Sequence, residues 1–310
     1  MTDRPLVIWR FLDGKAGHQN QTRGLLAALA QRTPVQVHDI PAPARLTALW
    51  TLLSGRYPET ASLTAPDLIL GAGHATHLGL LAARRAWGGR AIVLMKPSLP
   101  TRLFDLCLVP QHDSISPGPH VALTRGAINA CRPASAGRDP GLGLILIGGP
   151  SPHYRWDPAA LRQQLAELLE RDPETHWLIG DSRRTPPGFS QELRALATGR
   201  VGFHSHTDTP PDWIGAQMAS AGQVWISPDS VSMVYEALSS GAPTGLLELP
   251  PQAHSRIPAS LAQLADEDML TTWQAWRDGA PPREPAETLD EAGRCAELLL
   301  ERYFAGRKAA

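Results

Sequence analysis

Between the apolar run "LVIWRFL" and the helical-looking "TRGLLAALAQR" lies "DGKAGHQNQ", Asp13 to Gln21, which gathers two glycines, a lysine, a histidine and three side-chain amides. Such a strand-to-helix corner can do two kinds of chemistry. Gly14 and Gly17 expose backbone N–H groups beside a helix N-terminus, where an anion is favoured. Lys15 and His18 add charge or proton transfer. The plainer alternative is a polar turn in which Asp13 caps the helix and Gln19, Asn20 and Gln21 are solvated. The stretch matches neither G-x-x-x-x-G-K-[ST] nor G-x-G-x-x-G.

Three corners in the second half of the chain have a related composition. "IGGPSPHYRWD" places Gly148 and Gly149 at a strand end, where the backbone can approach a phosphate or diphosphate, although a glycine pair there also serves simply to turn the chain. "LIGDSRRTPPGF" sets Asp181, Ser182, Arg183, Arg184 and Thr185 before a proline-started helix; its guanidinium forks suit phosphate oxygens, and an ordinary surface loop could hold them too. In "VWISPDSVSMVYEALSSGAP" the hydroxyls of Ser230 and Ser232 open a helix, and Glu236 follows Ser232 by one turn on nearly the same face. First-turn amides and serines can hold a diphosphate, while the carboxylate accepts from ribose hydroxyls. A serine-capped structural helix explains the first turn equally well.

Other residues read as structural. His74 and His77 are three apart with no third ligand near them, so no metal site is expected. "PQHD", Pro110 to Asp113, closes a strand and faces the expected cleft. Trp273 and Trp276 are packing anchors or part of a membrane-facing edge. The absence of G-x-S-x-G and H-E-x-x-H argues against a serine hydrolase or metalloprotease.

The elements that position these corners follow from alternating short apolar runs and amphipathic stretches, the pattern of α/β units with buried parallel strands. Strands are expected at "PLVIWRF", "VQVHDI", "DLILGAG", "AIVLMK", "FDLCLVP", "LGLILIGG", "HWLIGD", "VGFHS", "QVWIS" and "PTGLLEL". Helices are expected at Gln21 to Arg32, Ala75 to Trp87, Pro158 to Arg171, Pro187 to Ala197, Pro211 to Ala221 and Ser230 to Ser240. Asp157 and Pro158 form a good helix start. The segment Asn129 to Gly143 is rich in Pro, Gly and Ala and reads as a linker. The expected domains are residues 1–135, residues 136–282, and a C-terminal helix within 283–310 that packs back on the first. Two doubly wound Rossmann-like domains would face each other across a cleft, with sites beyond the carboxyl ends of the strands.

Bulk properties agree with this. The 310 residues exceed what one core usually holds, and a net charge of -1 gives no field to attract nucleic acid. Three scattered cysteines suggest neither a zinc knuckle nor a disulfide framework. No run of about 18 apolar residues occurs, so a cytoplasmic, non-spanning protein is expected.

Taken together, "DGKAGHQNQ", "FDLCLVPQHD", "IGGPSPHYRWD", "SRRTP" and "DSVSMVYEA", in this order, resemble the family named after a plant mitochondrial-fission factor of the elongated-mitochondria type. The resemblance runs from Asp13 to about Pro243. It departs from the family at "GAGHATH", where an arginine-containing loop is usual, and at "TPPDWIGAQ", which replaces an Asn-Pro-Tyr segment. Bacterial members resemble glycosyltransferases of the two-Rossmann-domain B type. The resemblance implies transfer of a sugar from a nucleoside-diphosphate donor to an envelope, glycan or lipid-linked acceptor, without metal or other cofactor, and with peripheral association at the inner face of a membrane. It implies that Gly148, Gly149, Ser182, Arg183, Asp229, Ser230, Ser232 and Glu236 bind the donor. It implies that Asp13 or His18 acts as catalytic base, in an acceptor-side loop with Gly14, Lys15, Gly17 and Gln19. Two other functions fit the resemblance: a non-catalytic scaffold of the fission type, and a nucleotide-sugar epimerase.

Overall fold

The computed structural model describes residues 4–133, 137–210 and 212–305. Pro211, the expected start of one helix, and residues 134–136, within the expected linker and at the expected domain boundary, lie outside the described residues, as do residues 306–310. The chain divides into two compact units: one runs to Ala130 and resumes at Asp290, the other is Cys131–Leu289.

In the first unit the order is β1 (Leu6–Leu12), α1 (Ala16–Ala30), β2 (Val35–Pro41), α2 (Arg45–Ser54), β3 (Leu68–Ala72), α3 (His77–Trp87), β4 (Arg90–Leu94), β5 (Leu106–Pro110) and β6 (Val121–Thr124). The second unit comprises β7 (Asp139–Leu146), α4 (Pro158–Arg171), β8 (His176–Gly180), α5 (Pro187–Ala195), β9 (Val201–His204), α6 (Trp213–Ser220), β10 (Ala221–Ile226), α7 (Val231–Ser240), β11 (Thr244–Leu246), α8 (Ile257–Asp266), β12 (Thr271–Thr272) and α9 (Trp273–Arg277). The last helix, α10 (Glu291–Phe304), belongs to the first unit.

Each unit holds one six-stranded sheet, ordered β2-β1-β3-β4-β5-β6 and β12-β11-β10-β7-β8-β9, and all the ladders between these strands are parallel. Parallel strands covered on both faces need apolar side chains on both, and β3 and β5 are buried at every position. The strand order reverses between β1 and β3 in one sheet and between β7 and β10 in the other. At such switch points the connections leave in opposite directions, so a crevice opens beyond the carboxyl ends of the two strands. Both switch points carry the polar corners singled out in the sequence.

The helices cover apolar faces at helical spacing. α1 buries Thr22, Leu25, Leu26 and Leu29. Asp157 caps α4 by accepting a hydrogen bond from the Ala160 N–H at 3.0 Å, and Pro158 follows it. α10 packs against α1, with Ala292, Cys295, Ala296 and Leu299 in the core between the sheet and these helices. Arg32 pairs with Glu297 at 2.8 Å, and the Tyr303 hydroxyl donates to the Asp105 carbonyl at 2.9 Å.

One expectation needs correction. α1 begins at Ala16, five residues before the expected start, so Gly17, His18 and Gln19 occupy its first turns and not a loop. Of the two readings open for Trp273 and Trp276, the structure bears out packing anchors: they cluster with Trp225, with ring centroids 4.7 to 5.5 Å apart, and Trp273 is buried. The strands β6 and β12 and the helices α2, α8, α9 also lie outside the expected elements.

Candidate functional site

In the first unit, Gly14 turns the chain from β1 into α1 in the left-handed region, φ +79°, a conformation favouring glycine. That turn folds the Asp13 carboxylate back over the helix start. Its Oδ1 accepts the Lys15 N–H at 3.1 Å, and its Oδ2 lies 2.7 Å from His18 Nδ1. The Asp13 side chain is only 2% exposed, whereas His18 is 18% exposed. Burial pushes the Asp13 carboxyl up, but the hydrogen bonds from His18 and from the Lys15 amide outweigh it and hold it below the ordinary value. An ionised Asp13 fixes the proton on His18 Nδ1 and leaves Nε2 as a proton acceptor. Lys15 is exposed, and Lys15 as the helix N-cap gives no side-chain hydrogen bond to the first-turn amides.

The ring of His18 lies on Gly73, one residue past β3. A Cβ there would stand 2.3 Å from His18 Cε1 and 2.4 Å from Nδ1, and Gly73 has φ +82°. The "GAGHATH" corner therefore seats the histidine of the β1 corner. Only a glycine leaves room for it. Nothing in residue spacing announces this contact, because it depends on β1 and β3 being sheet neighbours.

The second unit stitches three corners together. Beyond β7, the Gly148 N–H donates to Ser227 Oγ and the Gly149 N–H to Asp229 Oδ2, both at 2.7 Å. Ser182 Oγ donates to the Gly148 carbonyl at 3.1 Å, and Thr185 Oγ1 to the Ile147 carbonyl at 3.1 Å. Added Cβ atoms would lie 2.1 Å from Asp229 Oδ2 at Gly148 and 2.0 Å from the Arg184 carbonyl oxygen at Gly149. Both glycines are thus demanded by close approach. Their amides are occupied within the protein.

The arginine wired into this corner is Arg184: it pairs with Asp229 Oδ2 at 2.8 Å and donates to the Gly149 carbonyl at 3.1 Å. Arg183 is exposed. Asp229 Oδ1 is buried with no hydrogen-bond partner, and an unmet buried acceptor costs about 1–3 kcal/mol. Ser230 precedes α7 without capping its amides, and Ser232 is exposed on the first turn. Glu236 is half-buried, and its charge adds to the burial that pushes the Cys131 thiol up to about 12. The donor residues read from the sequence fall on three adjoining corners, with Glu236 one turn further along α7.

A second carboxylate–histidine pair escaped the sequence reading. Asp181, at the end of β8, accepts the Ser190 hydroxyl at 2.7 Å, the His206 N–H at 2.7 Å, and lies 2.8 Å from His206 Nδ1. Burial raises its carboxyl, and these hydrogen bonds more than reverse the effect. Its signal was an aspartate after β8 beside His206 after β9, legible only once the strands are known to be adjacent. By contrast His77 is a core residue: it is buried, lies 3.2 Å from Ser98 Oγ, and packs on Phe104. Burial first, then His74, pull it down to about 4. At the end of β5, the Asp113 carboxylate accepts the Lys96 N–H at 3.4 Å. Among the described residues no group of three or more His, Cys, Asp or Glu side chains could hold a metal ion.

No curated protein matches the sequence. Among solved structures, one of a UDP-N-acetylglucosamine 2-epimerase superposes with a TM-score of 0.55 at 14% identity, covering 100% of this chain and 99% of the other. The Neisseria meningitidis UDP-GlcNAc 2-epimerase bound to UDP-GlcNAc gives 0.52 at 12% identity, with 97% and 100% covered. A glycosyltransferase of kitacinnamycin gives 0.50 at 15% identity, with 97% and 99% covered. At such identities the likeness establishes the fold, that of glycosyltransferase-B-type proteins with two Rossmann-like units. The family described as "Mitochondrial fission ELM1" matches residues 16–303, nearly the whole length, and the chain belongs to that family.

Proposed function

We propose that this protein is a glycosyltransferase that moves a sugar from a nucleoside-diphosphate donor to a glycan or lipid-linked acceptor. The observation that carries the reading is the His18–Asp13 pair at the first switch point: a buried carboxylate holds a largely buried imidazole whose Nε2 lies outside that pair. In the reaction, His18 Nε2 takes the proton of an acceptor hydroxyl, whose oxygen attacks the anomeric carbon of the donor sugar. The bond from that carbon to the diphosphate oxygen breaks, and the nucleoside diphosphate leaves with the electron pair. Asp13 orients His18 and stabilises the imidazolium.

On the second unit, a diphosphate would find the uncapped first turn of α7, the exposed Ser232 hydroxyl and the exposed Arg183. Because the Gly148 and Gly149 amides are already engaged, their part is to bring the corners together. Asp229, buried and paired with Arg184, likewise acts by holding the corners together. The UDP-GlcNAc bound in the Neisseria meningitidis neighbour makes uridine diphosphate sugars the first donors to screen. That neighbour's activity also supports a second reading, epimerisation of the nucleotide sugar on the same fold.

A thermal-shift series with nucleoside diphosphates and their sugars tests the donor site. A ligand at 100 times its Kd stabilises the folded state by about 2.7 kcal/mol. Failure of every nucleotide to stabilise the protein sinks the proposal. With a binding donor identified, His18→Ala and Asp13→Asn should each cut transfer by at least about 100-fold while donor binding persists. Conversion of the donor to its epimer without acceptor selects the epimerase reading. Binding without turnover selects the non-catalytic scaffold.

A further inference from the structure

α2 is built inside out. Its sequence, RLTALWTLLS, turns the small residues Ala48 and Thr51 into the protein, with Leu52 partly buried against the core beside them. The large apolar residues point the other way: Leu46 is 82% exposed, Leu49 45%, Trp50 55% and Leu53 70%. At 100° per residue these four fall within an arc of about 100°, the width of a full amphipathic face. A folded domain gains nothing from holding such a stripe in water.

Charge decides what covers the stripe. From Ile40 to Pro58 the chain carries no carboxylate, while Arg45 opens the helix and Arg56 follows its end. Arg85 reaches across from α3 to the turn at Gly55, where an added Cβ would lie 3.5 Å from its Nε. All three arginines are exposed and enter no ion pair among the described residues. On a second copy of the same face, the arginines would meet one another, and like charges disfavour that contact. A tryptophan and leucines on one face, framed by arginines, match instead the chemistry of an interfacial helix. The indole settles among headgroups, the leucines enter the acyl boundary, and the guanidinium groups take anionic phosphates.

We propose that α2 is a membrane-docking helix that lays the Leu46, Leu49, Trp50 and Leu53 face into an anionic bilayer. The inference concerns only the first unit and is independent of sugar transfer, because vesicle binding is read without donor or acceptor. Flotation of the full chain with phosphatidylglycerol–phosphatidylcholine vesicles tests it, with pure phosphatidylcholine vesicles and high salt as comparisons. The chain should float with the anionic vesicles, less in high salt and less with the neutral ones. Leu46→Glu combined with Leu53→Glu should reduce partition by at least about tenfold with an unchanged circular dichroism spectrum and Tm, since both side chains are exposed. Arg45→Glu with Arg56→Glu should remove the salt dependence. Failure to float, or flotation that the leucine variant leaves unchanged, overturns the proposal. A concentration-dependent dimer that the leucine variant abolishes, without vesicle binding, assigns the face to a second copy and also overturns it.

Discussion

His18 and His77 both follow strands of the first sheet, and burial separates their chemistry. His18 keeps an exposed edge beside an ionised partner. His77 is buried among apolar groups and stays neutral, pulled down to about 4. The consequence for stability has a definite sign. Below about pH 6.5 the unfolded chain protonates this histidine and the folded chain does not, so the contribution of His77 is complete above pH 6.5 and fades as pH falls towards 4. Across that window the loss is on the order of 3 kcal/mol. Urea unfolding of the wild type and His77→Gln between pH 7 and 4 should show a steeper decline for the wild type. Parallel pH profiles would remove the titration from the account.

At the scale of elements, the start of α1 decides how the first corner works. Gly17 looked in the sequence like a second hinge of a loop, yet it stands in the first turn of a helix with open space around its Cα. Gly17→Ala should therefore stabilise the protein by about 0.5–1 kcal/mol, measured by thermal or urea unfolding. Gly149→Ala should destabilise by at least about 2 kcal/mol, because its Cβ meets the Arg184 backbone with nothing able to give. Had "DGKAGHQNQ" been a flexible loop throughout, the first substitution would be neutral or harmful. Strand ends were legible because buried parallel strands are continuous apolar runs, and α7 and α4 were legible from their serine and aspartate starts. α2 was not, since Leu46, Ala48, Leu49, Trp50, Leu52 and Leu53 run nearly all round it and leave no polar face to mark the helical period.

What stayed hidden at both smaller scales was neighbourhood. Asp13 and His18 lie close in sequence and could be paired by eye; Gly73 under His18, Arg184 on Asp229 and His206 on Asp181 required the strand orders β2-β1-β3 and β10-β7-β8-β9. The same topology gives each unit its own core, and the terminal helix belongs to only one of them. α10 contributes Ala292, Cys295, Ala296 and Leu299 to the core that also contains Leu25 and Leu29 of α1, while the second unit's core ends at Leu289. Truncation after Leu289 should therefore act on one unit alone. Stripping buried apolar side chains from α1 and the sheet should cost the first unit on the order of 5 kcal/mol or more. Scanning calorimetry of the full and truncated chains should show the transition of the first unit lowered or lost and that of the second retained. Equal loss of both transitions would mean that the two cores fold as one cooperative body.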